Sequence, residues 1–272
     1  MVQFIHQAPW VQLLNSCVTE ELAATNHKPP FTSFQLATID SETGYPNNRT
    51  LIFRGWLFDN KSSNVITFTT DKRMTKYQEL LANDKVDAVF WFSNIRKQVR
   101  LRGQAKLLDQ DHHPNVYIPE NVQARGREAG DVEEGDYNST PQKQQIHTTL
   151  ISPNFAAKNS SDATLSPVDL VPPTSEEWTQ ELERHWNSLS KAMKTSFRKP
   201  MPKSPINEED SKLIDKIQRG VDGKKDDDGL KNFAVVAVFV NHVDYFEQDK
   251  DKRYIYELEE DNHSWTEQEV CP

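Results

Sequence analysis

Apolar and polar positions change period several times along the 272-residue chain. In "PWVQLLNSCVTEELAAT" (9–25), Trp10, Leu13, Leu14, Cys17, Val18 and Leu22 recur at helical spacing, and Pro9 suits a first turn. The period then shortens to two. "SFQLATID" (33–40), residues 49–56 of "NNRTLIFRGW", "VITFTT" (65–70), "VDAVFWF" (86–92) and "KQVRLRGQAKLL" (97–108) read as strands. Turn-forming "SETGYPNN" (41–48), "DNKSSN" (59–64) and "SNIR" (93–96) separate them. "DKRMTKYQELLAND" (71–84) interrupts them as a short helix, with Thr70 or Asp71 as its cap. Strands so closely spaced predict an antiparallel sheet or barrel.

The texture changes at residue 109. From "DQDHHPNVYIPEN" to "SDATLSPVDLVPP" (109–173) the chain is polar and poor in aromatic residues. Such a segment buries little apolar surface and is expected to be disordered or a surface excursion. "TSEE" (174–177) is a capping-box pattern opening a helix over 176–197, which ends before "RKPMPKSP" (198–205). A second helix is predicted over 207–220, then a solvated charged loop over 221–229. Residues 232–248 and 252–270 return to strand patterning. The two groups of strands are expected to close one barrel, because an open sheet leaves its edges exposed. The fold class is mainly β with flanking helices (α+β), a single domain over 1–272 with 109–173 as an insertion.

Composition narrows the function. The net charge of −9 and a pI near 5.4 argue against a nucleic-acid or anionic-membrane surface. Cys17 and Cys271 are too few for a disulfide framework and read as reduced thiols of a cytoplasmic, or also nuclear, protein. No secretory signal pattern or membrane-length apolar run is visible, so Asn-X-Ser/Thr matches such as those at Asn48, Asn138 and Asn159 read as chance. His112 and His113 suggest adventitious metal contact rather than a built site. Trp178 and Trp186, eight apart on a helix, read as core or interface.

The candidate chemistry lies around 49–76. Arg49 and Arg54 bracket a short apolar strand, and a covered guanidinium requires a partner, naturally an anion. Alternation puts Arg49, Leu51 and Phe53 on one face and Thr50, Ile52, Arg54 and Trp56 on the other. "TFTTDKRMTK" (67–76) runs from strand into helix start, where backbone N–H groups favour phosphate. Thr69 and Thr70 add hydroxyls there, and Lys72, Arg73 and Lys76 add charge. Spacing alone equally fits a solvated cationic face. Gln98 in "RKQVRLRG" (96–103) is a two-way hydrogen bonder suited to a heteroaromatic ring.

"FQLATIDSETGYPNNRTLIFRGW", "ITFTTDKRMTKYQELL" and "DAVFWFSNIRKQVRLRGQA" resemble consecutive blocks of the pyridoxamine 5'-phosphate oxidase family of FMN-binding split β-barrels. "WNSLSKAMKTSFRKPMPKSP" and the segment from "NFAVVAVFV" to the terminal "EVCP" resemble its later helix and strands. The resemblance covers 33–108 and 176–272, skips 109–173, and is closest to a divergent, fungal branch. It implies bound FMN in a cleft shared by a homodimer. Arg49 matches the family's phosphate arginine, with Thr50 beside it. Arg54 matches a basic residue near the ring, Phe68–Thr69 an aromatic-Thr pair, and Arg73 and Lys76 the phosphate motif. Gln98 and Arg253 match residues facing the flavin.

Departures qualify the activity. Met74 stands where Ser is usual, and Asp249, Asp251 and Glu269 replace basic residues that serve a phosphorylated substrate. The expectation is a flavin-dependent oxidoreductase of unknown substrate, not an efficient pyridoxine 5'-phosphate oxidase, with no catalytic residue assigned. The alternatives are a non-enzymatic dimer that has lost FMN and, more weakly, a different planar ligand such as haem.

Overall fold

The computed structural model describes residues 7–117, 145–147, 150, 152–154, 171–259 and 264–272. Helix α1 (Pro9–Ala24) precedes strands β1 (Ser33–Ile39), β2 (Pro46–Ile52) and β3 (Val65–Asp71). Helix α2 (Thr75–Ala82) leads to β4 (Lys85–Phe92) and β5 (Lys97–Leu108). After the short β6 (Asn115–Tyr117) and β7 (Gln145–His147) come α3 (Ser175–Ser188), α4 (Lys191–Ser196) and α5 (Glu208–Gln218). Strands β8 (Phe233–Glu247), β9 (Lys252–Leu258) and β10 (Trp265–Val270) finish the fold. No helix among the described residues is long and apolar enough to cross a membrane.

The early and late strands form one antiparallel sheet in the order β10-β9-β8-β5-β4-β1-β2, with β3 on the free side of β8. Closure comes from the chain just after β2. Arg54 N–H donates to Thr67 O, Thr67 N–H donates to Gly55 O, and Trp56 bridges Ile66. The ring β1-β2-β3-β8-β5-β4 is therefore continuous, and β9–β10 extend it along the C-terminal half of β8. Phe34, Leu36, Phe68, Phe90, Phe92 and Leu101 fill its interior. A bulge at Arg102/Gly103 lets β5 follow both halves of β8.

A second core lies under α3, where Trp178, Leu182 and Trp186 pack on Leu57, Phe197 and Phe233. The predicted capping box forms: Thr174 and Glu177 exchange side-chain and backbone bonds. Glu181 is buried on the same helix. It accepts from the Phe58 backbone N–H, from Arg184 and, across the ring nitrogen, from His185, tying α3 to the turn at 57–59.

Several boundaries depart from expectation. Strand β2 begins at Pro46 and ends at Ile52, not at 56. Gly55 adopts φ +89°, so alternation breaks and both Phe53 and Trp56 pack on the core. Helix α2 starts at Thr75 with Met74 as an N-cap whose side chain makes no capping bond. Asp71 does not cap it, because its carboxylate accepts from the backbone N–H and guanidinium of Arg73. The helix over 176–197 breaks at Leu189, and Ser190 caps a new one.

Much of 109–173 lies outside the described residues. Its described ends are tied down. Asp109 is buried and accepts from Tyr77 Oη and Lys72 Nζ, Leu150 joins the second core, and Ser152 donates to Glu177.

Candidate functional site

The cations of 49–76 meet at one end of the barrel, around the start of α2. Arg49 lies opposite Leu36 on β1, so its side chain follows the inner face toward this end. Its guanidinium donates to Thr38 Oγ1, to Leu36 O at 3.3 Å and to Glu79 Oε2 at 2.9 Å. Lys76 is buried, with Nζ 3.1 Å from Thr70 Oγ1 and 2.8 Å from Met74 Sδ. Burial, with Arg49 and Lys203 nearby, pulls its pKa down to about 8 against the opposing pull of Asp71 and Glu79. Lys203 reaches the same helix start, 3.5 Å from Thr75 Oγ1, from backbone at φ +68°.

The other predicted residues divide. Arg73 is held by Asp71 and donates to Phe197 O and Lys199 O, which fixes the segment after α4 beside the cradle. Lys72 pairs with Asp109 and Asp111. Phe68 lies wholly inside the barrel with its ring edge-on to Phe34, so its part is packing. Thr69 is half-buried next to it, and Thr50 is exposed. Arg54 is half-buried, its Nε is enclosed without a hydrogen-bond partner, and burial pushes its guanidinium below the ordinary value.

Gln98 and Arg253 are not part of this cradle. Trp91, Gln98, Phe246, Arg253 and Val270 face one another across β4, β5, β8, β9 and β10. Their chain neighbours Phe92, Val99 and Tyr245 are buried, so this row lies on the outer face of the sheet. Asp244 accepts from Arg253 Nε at 2.8 Å and Nη2 at 2.6 Å, and Arg253 in turn holds the Asp244 carboxyl below its usual range. Trp91 in the same row is nearly half exposed. The acids noted as departures are paired or at a turn: Asp249 with Arg96, Glu269 with Lys252, and Asp251 in left-handed backbone.

A phosphate group fits the cradle. The cradle holds a lysine whose pKa is lowered by burial first and by neighbouring cations second, which an anion would relieve, and Arg54 offers an unused donor. The outer row offers an aromatic face and an amide. Sequence reasoning missed Glu79, Thr38, Asn47 and Lys203. Glu79 is buried and accepts from Thr38, Asn47 and Arg49. The signal for it was the hairpin register, which sets Thr38 opposite Asn47.

Comparison with known proteins agrees with this architecture. The family described as "Pyridoxamine 5'-phosphate oxidase, FMN-binding domain" matches residues 7–109. The uncharacterized protein YGR017W of Saccharomyces cerevisiae is 32% identical over 98% of this chain and 99% of its own length. "Pyridoxine/pyridoxamine 5'-phosphate oxidase 2" of Arabidopsis thaliana is 32% identical over 44% of this chain and 56% of its own length. A pyridoxamine 5'-phosphate oxidase-related, FMN-binding protein of Nostoc punctiforme shares the fold over 98% of this chain and 100% of its own, with a TM-score of 0.63 at 19% identity. PhzG of Burkholderia lata, solved with tetrahydrophenazine-1-carboxylic acid, does so over 98% and 94%, at 0.56 and 13%. With the family model matching residues 7–109, a relative matched nearly from end to end and the fold shared with a pyridoxamine 5'-phosphate oxidase-related protein, the chain belongs to the pyridoxamine 5'-phosphate oxidase-like family of FMN-binding split barrels.

Proposed function

We propose that this protein binds FMN and uses it as a flavin-dependent oxidoreductase on a substrate other than pyridoxine 5'-phosphate. The observation that carries the reading is the cradle at α2, where buried Lys76 stands with Arg49 and Lys203 close enough to depress its pKa. Arg49 and Lys76 would hold the phosphate, Arg54 would donate toward the ring, and Gln98 and Arg253 would meet the ring edge. The flavin supplies the redox chemistry when bound, and the chain supplies position and electrostatics. Asp249, Asp251 and Glu269 stand where the family resemblance puts basic residues, so the cations that would serve a phosphorylated substrate are missing, and Asp249 and Glu269 instead engage Arg96 and Lys252.

The test is titration with FMN and riboflavin across pH. Lys76 titrates near 8 when free, and a bound phosphate raises that value. FMN affinity is therefore full below about pH 8 and falls as pH rises through it, while loss of the phosphate dianion weakens binding below about pH 6. Riboflavin, which carries no phosphate, follows neither limb. No saturable FMN binding at about 100 μM, which is weaker than about −5.5 kcal/mol, sinks the flavin reading.

One observation favours a second reading, a binding protein without flavin: Met74 Sδ occupies the lysine ammonium at 2.8 Å where a hydroxyl donor to phosphate is expected.

A homodimer belongs to the same proposal. Arg49 follows the inner face of the sheet and Gln98 the outer, so one chain cannot aim both at one ligand. A second copy can bring its outer row, with exposed Trp91, against the cradle. Light scattering should report twice the chain mass at micromolar concentration; a monomer there removes the shared cleft.

A further inference from the structure

Glu79 is a buried acid inside a cluster of cations, and unlike Asp71, which holds Arg73, it faces Arg49. Its side chain is only 5% exposed, and it projects from α2 one turn beyond Lys76. Oε2 accepts from Arg49 Nη2 at 2.9 Å and from the Thr38 hydroxyl, while Oε1 accepts from Asn47 Nδ2. Thr38 Oγ1 in turn accepts from Arg49 Nη1, and Leu36 O accepts from that nitrogen as well. Two nitrogens of the guanidinium are therefore fixed by β1 and α2 together. Arg49 loses its freedom to swing outward, and its remaining N–H groups have one orientation.

We propose that Glu79 is a positioning residue for phosphate recognition: it holds Arg49 in place through its acceptor geometry, with Thr38 and Asn47 as its own supports. This rests on the flavin reading above and deepens it. A carboxylate beside a phosphate site is an electrostatic cost, so its presence requires a return. The return is preorganisation: a fixed arginine gives up less rotamer entropy when the ligand arrives. The arrangement also makes a specific prediction about an isostere. An amide at position 79 can keep its oxygen on Arg49 and Thr38, and Asn47 can accept from the new NH2 by turning its own amide. Geometry survives while charge is removed.

The experiment compares wild type, Glu79→Gln and Glu79→Ala, titrated with FMN and with riboflavin at pH 7. Glu79→Ala should weaken FMN about tenfold and leave riboflavin within about twofold, the ratio one lost ion-pair constraint would give. Glu79→Gln should keep FMN within about threefold of wild type. Equal weakening of both flavins by Glu79→Ala would mean a merely structural acid and overturn the proposal. So would a Glu79→Gln variant as poor as Glu79→Ala, because charge rather than acceptor geometry would then matter. Should Glu79→Ala fail to fold, Glu79→Asp answers the same question. The shorter acid keeps the charge but not the reach that spans Arg49, Thr38 and Asn47, so FMN must weaken about tenfold with riboflavin unchanged. Wild type that prefers FMN while these variants keep the wild-type flavin ratio overturns Glu79 alone; wild type that binds neither flavin overturns the flavin reading and this role with it.

Discussion

Replacing Arg49 by Ala is expected to weaken FMN by roughly 10- to 150-fold while leaving riboflavin nearly untouched. That range is the loss of one charge-assisted hydrogen bond, about 1.5–3 kcal/mol. The structure pushes the effect to the upper end, because Glu79 stays behind without its guanidinium, a buried carboxylate beside the phosphate. Riboflavin serves as the internal control for folding. Met74→Ser should move FMN the other way and tighten it modestly, since a hydroxyl replaces the thioether on Lys76. If FMN binds and Arg49→Ala leaves its affinity unchanged, the cradle does not hold the phosphate and the assignment of Arg49 and Lys76 is wrong.

The second large effect concerns the barrel itself. Gly103 sits at the bulge where β5 crosses from one half of β8 to the other. A Cβ there would lie 2.1 Å from Phe239 O and 2.8 Å from its carbonyl carbon, both backbone atoms of a central strand. Neither can withdraw without breaking the ladder that joins β3, β8 and β5. Gly103→Ala is expected to cost about 3 kcal/mol or more, at or beyond the upper range for overpacked cores. For a chain of this size that is a fall of roughly 6–12 °C in melting temperature. A melting temperature within about 2 °C of wild type would show that the bulge relaxes freely and that the close approach is not required.

Much of this barrel was legible because its strands alternate cleanly. The strand at 97–108 falls where the pattern puts it, and those at 33–39 and 65–71 differ only at an end. The start of α2 was not legible, because Asp71 looks like a cap until Arg73 is seen to occupy its carboxylate. The end of β2 was missed because alternation says nothing of a glycine in left-handed backbone at 55. Among the site residues, Arg49 and Lys76 could be named from local sequence, since strand and helix start adjoin in the chain. That Gln98 and Arg253 share one row depends on β8 lying between their strands, a pairing 155 positions apart that no local pattern encodes. Glu79 was hidden for the same reason: its partners come from a hairpin some 30 to 40 residues away.

The bidentate hold of Asp244 on Arg253 sets what the outer row can recognise. With Nε and one N–H of Nη2 taken and its charge offset by Asp244, Arg253 keeps three N–H donors but little net charge with which to hold an anion. The cradle around Lys76 keeps a surplus of cations. On the proposed flavin reading, the cradle and a second copy's outer row suit the two ends of an amphiphile, a charged tail and an uncharged ring. Each end alone would be held weakly, and the covalent link between them supplies the rest. Once the phosphate is seated, the ring meets the outer row at the high local concentration of an intramolecular contact, so the affinity for the joined molecule exceeds that for either part.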